Sequence, residues 1–243
     1  VQQLFDNRTY RTISRGAGLV DFCVTVKETN LFVRAKTDLT GKAHAAVMDA
    51  RNSIEEYIRS RPEFQTSLVP IDSDPYAVPI VKEMIRDSAL SGVGPMAGVA
   101  GAIAEFVARR LYRESKEIIV ENGGDVFLFS EERRTVALYT EKGAANIGVE
   151  VGDARQGLGI SSSSALIGRS LSLGSAELAT VVANSGTLSD AAATALGNLV
   201  RKIPDIEPAL ARITSIPGVF GAVVIAGGKI GAAGDVKIAA LRD

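Results

Sequence analysis

Short β-rich runs in this chain come in adjacent pairs, and helical stretches separate the pairs. Residues 19–27 and 30–36 are joined at Glu28-Thr29 and predict a first hairpin. Residues 126–129 and 135–140 predict a second around 131–134, and 219–226 with 236–241 a third, turned by glycines. Further strands are expected at 117–121, 147–151 and 180–183. The spacing of apolar residues such as Val47, Ile54 and Ile58 predicts a helix over 42–61, stopped by Pro62. Others are expected at 80–89, with Pro79 in the first turn, and at 100–115, 189–202 and 207–215. Residues 70–79, with three prolines and two aspartates, read as a loop, as does the serine- and glycine-rich stretch 157–174. Strands paired locally, with helices between the pairs, favour an α+β fold, with mixed or antiparallel sheets built from hairpins, over a doubly wound parallel sheet. No linker or shift in composition divides the chain, so 1–243 is read as a single domain.

Composition removes several classes of function. At 243 residues the chain can bury roughly 70–75% of its unfolded surface without staples. A net charge of −1 offers no basic field for nucleic acid or anionic lipid, and the absence of Trp argues against a base-stacking platform. No apolar stretch reaches the roughly 20 residues of a membrane span, and residues 1–10 do not read as a secretion signal, so the cytoplasm is expected. The lone Cys23 alternates with Phe22 and Val24 and is expected to be buried; the lone His44 is expected to be solvated or to cap a helix. One Cys and one His exclude an internal disulfide and a structural zinc site.

Four segments carry the candidate chemistry. Residues 92–102 hold four glycines, Gly98 and Gly101 among them. They follow a helical pattern rather than a strand, which speaks against a dinucleotide fingerprint. Such a stretch suits either close packing of small residues or backbone left open to a ligand. Glu121-Asn122-Gly123-Gly124-Asp125 reads as a turn whose flanking carboxylates can face a cation or hydroxyls. Asp190 and Thr194 lie four apart, on one helix face, where a carboxylate and a hydroxyl can share a hard cation. The competing view is that Thr187 caps this helix and Asp190 complements its dipole. Finally, Ser161 to Ser164 and Arg169 suit a polar ligand such as phosphate, or form a plain surface loop.

Taken in order, the glycine-rich helix start, Asn122-Gly123-Gly124-Asp125 and the run from Ser189 through Asp190 and Thr194 to Leu196 resemble the ApbE-like superfamily of flavin-handling proteins. The resemblance is closest to an uncharacterised branch, through Val26-Lys27-Glu28-Thr29, residues 51–57, Pro62-Glu63-Phe64, 92–105 and 121–125, and it spans nearly the whole chain. It implies an ApbE-like, T-fold-related architecture. It also implies FAD as substrate or ligand and Mg2+ as cofactor, with FMN transferred to an acceptor protein or FAD hydrolysed to FMN and AMP. By this resemblance Asp190 is the catalytic residue, and Asp190, Thr194 and a main-chain carbonyl near Ala100 hold the metal. Gly98, Ala100, Asn122, Gly123, Gly124, Asp125, Ser161, Ser162 and Arg169 then line the nucleotide site. Three features depart from the better-known members: Pro95 and Gly101 stand where they have Asp and Lys, and residues 161–169 replace their His-containing Asp-Pro motif. A non-catalytic flavin- or nucleotide-binding protein and a bare interaction scaffold therefore stay beside the enzyme as readings, and self-association stays open.

Overall fold

The computed structural model describes residues 18–140, 143–164 and 176–241. Eight strands form one antiparallel sheet in the order β1-β2-β3-β4-β7-β8-β9-β10. They are β1 (Val20–Val26), β2 (Thr29–Ala35), β3 (Ile118–Asn122), β4 (Asp125–Phe129), β7 (Leu158–Ser163), β8 (Leu178–Ala183), β9 (Val219–Ala226) and β10 (Lys229–Gly234). A second sheet, ordered β11-β6-β5, comprises β5 (Arg134–Thr140), β6 (Gly143–Val151) and β11 (Lys237–Ala240). The helices are α1 (Thr40–Ser60), α2 (Glu63–Thr66), α3 (Pro79–Ser91), α4 (Val99–Leu111), α5 (Gly186–Leu199) and α6 (Ile206–Thr214), with a 3₁₀ turn at Pro95–Gly98.

Alternation along the strands explains the layers. In β4, Phe127 and Phe129 pack with α1, α3 and α4, whereas Val126 and Leu128 face Leu138, Val149 and Val151 of the small sheet. In β9, Ala222 and Val224 meet Leu210 and Ile213 of α6, while Val223 and Ile225 point the other way. The large sheet is thus covered by helices on one face and, over its middle strands, by the small sheet on the other. Helix α1 buries Ala43, Ala46, Val47, Ala50 and Ile54, a stripe at helical spacing. Pro79 occupies the first turn of α3 and Gly92, in the left-handed region at φ 76°, ends it. Among the described residues no single helix is long and apolar enough to cross a membrane.

The α+β class, the helices and the strand-rich character match expectation, with several local differences. The first turn is Lys27-Glu28, one residue earlier than expected, with Lys27 at φ 51°. The expected second hairpin does not form: β4 pairs with β3 and β7, and β5 pairs with β6 in the other sheet. The last hairpin is β9 with β10, not residues 236–241, which belong to β11 against β6. Residues 158–163, read as loop, are strand β7 in the middle of the sheet; serine hydroxyls that pair with one another replace the apolar side chains that would have announced a strand. Cys23 is exposed rather than buried, because the same alternation turns Phe22 and Val24 to the core. His44 is exposed on α1 and caps nothing.

Candidate functional site

The β3–β4 turn, the start of α4 and the start of α5 converge on two carboxylates, Asp125 and Asp190. The turn needs glycine at Gly123, whose φ is 78°. It delivers Asp125 as the first residue of β4, opposite Ser161 on β7. Asp190 projects from the second turn of α5, where its Oδ2 accepts the Gly101 amide at 2.9 Å. Asn122 Nδ2 donates to the Ala100 carbonyl at 3.1 Å, tying the turn to the start of α4. Ser161 and Ser189 hydroxyls are 2.8 Å apart, and Ser189 also donates to the Gly186 carbonyl at 2.9 Å.

Both carboxyl groups are partly buried and close enough to act on each other's charge. Burial pushes the Asp190 carboxyl up to about 7, against the pull of the Gly101 and Ala100 amides. Asp125 rises well above the usual carboxylate range, through burial first and then the adjacent Asp190 charge, with the Ser161 hydroxyl working the other way. Two carboxylates this close hold a proton or a cation between them. Among the described residues Oδ1 of Asp125 is buried and has no hydrogen-bond partner. That orphaned oxygen is what a hard cation would satisfy, and the donor set around it is all oxygen: two carboxylates and the Ala100 carbonyl. Among the described residues no three His, Cys, Asp or Glu side chains converge anywhere, so a cation here would complete its shell with carbonyl, hydroxyl and water.

The close approach of α4 to α5 has a backbone cause. A methyl group on Gly101 would lie 2.0 Å from the Gly186 carbonyl oxygen, and one on Gly98 would lie 2.9 Å from that of Thr187. Of the two uses considered for the glycine-rich segment, close packing is the one seen. The helix N-termini are not vacant either. The first-turn amide of α4 at Gly101 goes to Asp190, and Gly186 at the start of α5 donates to Glu105 Oε2 at 2.7 Å. Ser185, not Thr187, is the α5 N-cap; its hydroxyl accepts the Leu188 amide and donates to buried Asp87 at 3.0 Å. Asp190 therefore lies beyond the first turn, and the hydroxyl of Thr187 is buried with no partner among the described residues.

The expected residues divide clearly. Asp190, Asp125, Asn122, Ala100 and Ser161 come together at one point, with Gly123 and Gly124 forming the adjoining turn. Thr194 sits one turn further along α5, buried. Gly98 packs on Thr187, and Ser162 faces the opposite side of β7, its hydroxyl 2.9 Å from that of Thr180. Arg169 lies outside the described residues. Sequence reasoning missed Glu105, Asp87 and Ser185; Asp87 and Glu105 reach Ser185 and Gly186 from far away in the chain, and no local pattern marks them. A cavity of about 540 Å³ lined by Tyr112, Asp153, Arg155 and Gln156 lies at the other end of the sheet and shares no residue with these carboxylates.

An antiparallel sheet with helices on one face and a small sheet on the other is an ApbE-type architecture. The solved flavinyl transferase ApbE from Pseudomonas stutzeri superposes with a TM-score of 0.60 at 14% identity, over 89% of this chain and 94% of that one. The flavin transferase ApbE from Vibrio cholerae gives 0.57 at 13%, over 89% and 96%. The chain belongs to the family described as AbpE bacteria, which matches residues 11–226. Similar curated proteins are a UPF0280 protein from Methanothrix thermoacetophila, 39% identical over 80% of this chain and 83% of its own length, and UPF0280 protein MJ1526 from Methanocaldococcus jannaschii, 36% identical over 88% and 90%.

Proposed function

We propose that this protein is a magnesium-dependent enzyme that acts on the diphosphate of a flavin dinucleotide, transferring the FMN half to an acceptor protein or to water. The observation that carries the reading is the unpartnered Asp125 Oδ1 beside Asp190, in a fold shared with proteins described as flavin transferases. Asp190, the Ala100 carbonyl and Thr194 would hold the ion, with Asp125 as a fourth oxygen donor. Bound magnesium would neutralise charge developing on the diphosphate. Asn122 fixes the Ala100 carbonyl, and Gly101 fixes the Asp190 carboxylate, so both donors are oriented before any ligand arrives. The Gly123-Gly124 turn lets a nucleotide approach the backbone closely. Because the first-turn amides of α4 and α5 are engaged by Asp190 and Glu105, phosphate recognition falls to the ion rather than to a free helix N-terminus.

Incubation with FAD and magnesium, followed by mass spectrometry of FMN, AMP and flavinylated protein, tests the reading. Turnover that stops without magnesium and on Asp190→Ala supports it; unchanged turnover by folded Asp190→Ala rejects the site. A specific observation favours a second reading, a flavin- or nucleotide-binding protein without catalysis. Gly101 stands where the resemblance implies a lysine, and its contact with Gly186 leaves no space for a side chain. That reading predicts saturable FAD binding and no cleavage.

A further inference from the structure

The large sheet ends at β10, whose outer edge is unpaired among the described residues. Edge strands are ordinarily guarded by proline, by charge or by brevity. Over six residues β10 carries no proline and one charge, Lys229, and it leaves Ile230 55% exposed. Beside it runs an apolar groove of about 290 Å³ between α6 and the strand, lined by Ile206, Leu210, Ala211, Gly231 and Ala233. We propose that β10 pairs antiparallel with β10 of a second copy of this chain about a two-fold axis at Ala232, joining two eight-stranded sheets into one.

Hydrogen-bond parity fixes that register. The two-residue turn Gly227-Gly228 makes Ala226 and Lys229 a hydrogen-bonded pair, so the amides and carbonyls of Lys229, Gly231 and Ala233 point at β9. Those of Ile230, Ala232 and Gly234 point outward. Two copies exchange bonds only where outward residues meet, and the register that uses all three centres on Ala232. Ile230 then lies against Gly234 of the second copy, where the missing side chain leaves it room. The same register brings exposed Lys229, on the face that carries α6, to the end of the second copy's strand, where exposed Asp235 follows Gly234 at φ 80°, twice by symmetry. The groove opens on that face, toward the α6 of the second copy. At the other end of the sheet the same parity centres β1 on Cys23 and sets Asp21 against Thr25, which are not opposite charges. Charge self-complementarity is thus a property of β10 and not of edges in general.

Light scattering on the full chain at micromolar concentration, with sedimentation to obtain the dissociation constant, tests this. The wild-type chain is expected to be a dimer. Lys229→Asp and Asp235→Lys each place like charges twice at the interface and should weaken the dimer on the order of tenfold. Mixing the two variants should restore it, because each then opposes the charge it needs. Ala232→Pro removes an outward N–H without breaking a bond to β9 and should give a folded monomer. A monomeric wild-type chain overturns the proposal, as do single variants as dimeric as the wild type, or a mixture no tighter than its components.

Discussion

Gly101 on α4 and Gly186 on α5 meet backbone to backbone, and each excludes a side chain from the other. A methyl group on Gly186 would lie 2.6 Å from the Gly101 carbonyl oxygen, and one on Gly101 would also lie 2.9 Å from Asp190 Cβ. The contact places the Gly101 amide within reach of Asp190, so packing and site geometry have one origin. Gly101→Ala should therefore destabilise by about 1–3 kcal/mol, the usual range for overpacking, despite the roughly 1 kcal/mol that alanine gains in a helix interior. Urea denaturation measures the difference. An Ala variant as stable as the wild type would show that α4 and α5 separate freely.

The Asp125–Asp190 pair gives stability a pH dependence of known sign. In the unfolded chain both carboxyls titrate near 4, whereas burial raises both in the folded protein, Asp190 to about 7. Their contribution is complete below the unfolded value and is lost as pH rises through the folded one. Without divalent ions the denaturation midpoint should fall between pH 5 and 8, and fall less in Asp125→Asn, which supplies an amide donor to Asp190 at any pH. On the proposed function magnesium would compete with protons for these carboxylates, so its stabilising effect should grow across the same window. Parallel pH profiles for wild type and Asp125→Asn would refute this account.

Much of this was legible from residue order, and the rest for definable reasons was not. Apolar spacing and proline placed α1 and α3 to within about two residues. Asn122 to Asp125 and Asp190 stood out through a family resemblance, and the structure brings them into one cluster. Strand β7 is hidden because Ser161 pairs with Ser189 and Ser162 with Thr180 through their hydroxyls, which no hydrophobic period records. The expected hairpin of β4 with β5 fails because neighbours in the chain are not neighbours in the fold: β4 pairs with β3 and β7 in the large sheet, and β5 with β6 in the small one. Thr187 looked like a cap because Thr, Ser and Asp are interchangeable in that role. Only the fold shows that Asp87 and Glu105 reach Ser185 and Gly186 from 98 and 81 residues away.

The side chain of Asn122 donates to the Ala100 carbonyl. Asn122→Ala should lower stability by only about 1 kcal/mol, the net value of an ordinary hydrogen bond. Its effect on magnesium should be larger, because the carbonyl loses its fixed direction while Asp190 stays held by Gly101. Calorimetric titration with magnesium and FAD distinguishes the two effects. An unaltered magnesium response would remove the Ala100 carbonyl from the proposed ligand set.

The carboxylates under α5 offer the last separation of structure from chemistry. Glu105 accepts the Gly186 amide and is paired with Arg109 at 2.6 Å, and it is almost completely buried. Glu105→Ala leaves that amide unsatisfied and strips Arg109 of its partner, so about 1–3 kcal/mol should be lost. Ser185→Ala removes the side-chain cap alone and should cost about 1 kcal/mol. Glu105→Gln keeps an oxygen for the amide but not the charge, and should fall between the wild type and the alanine variant. None of these side chains bonds directly to Asp125 or Asp190, so flavin-nucleotide affinity measured well below each variant's melting temperature should stay near wild type. An affinity that falls in step with stability would instead mean that the α5 N-terminus sets the position of Asp190.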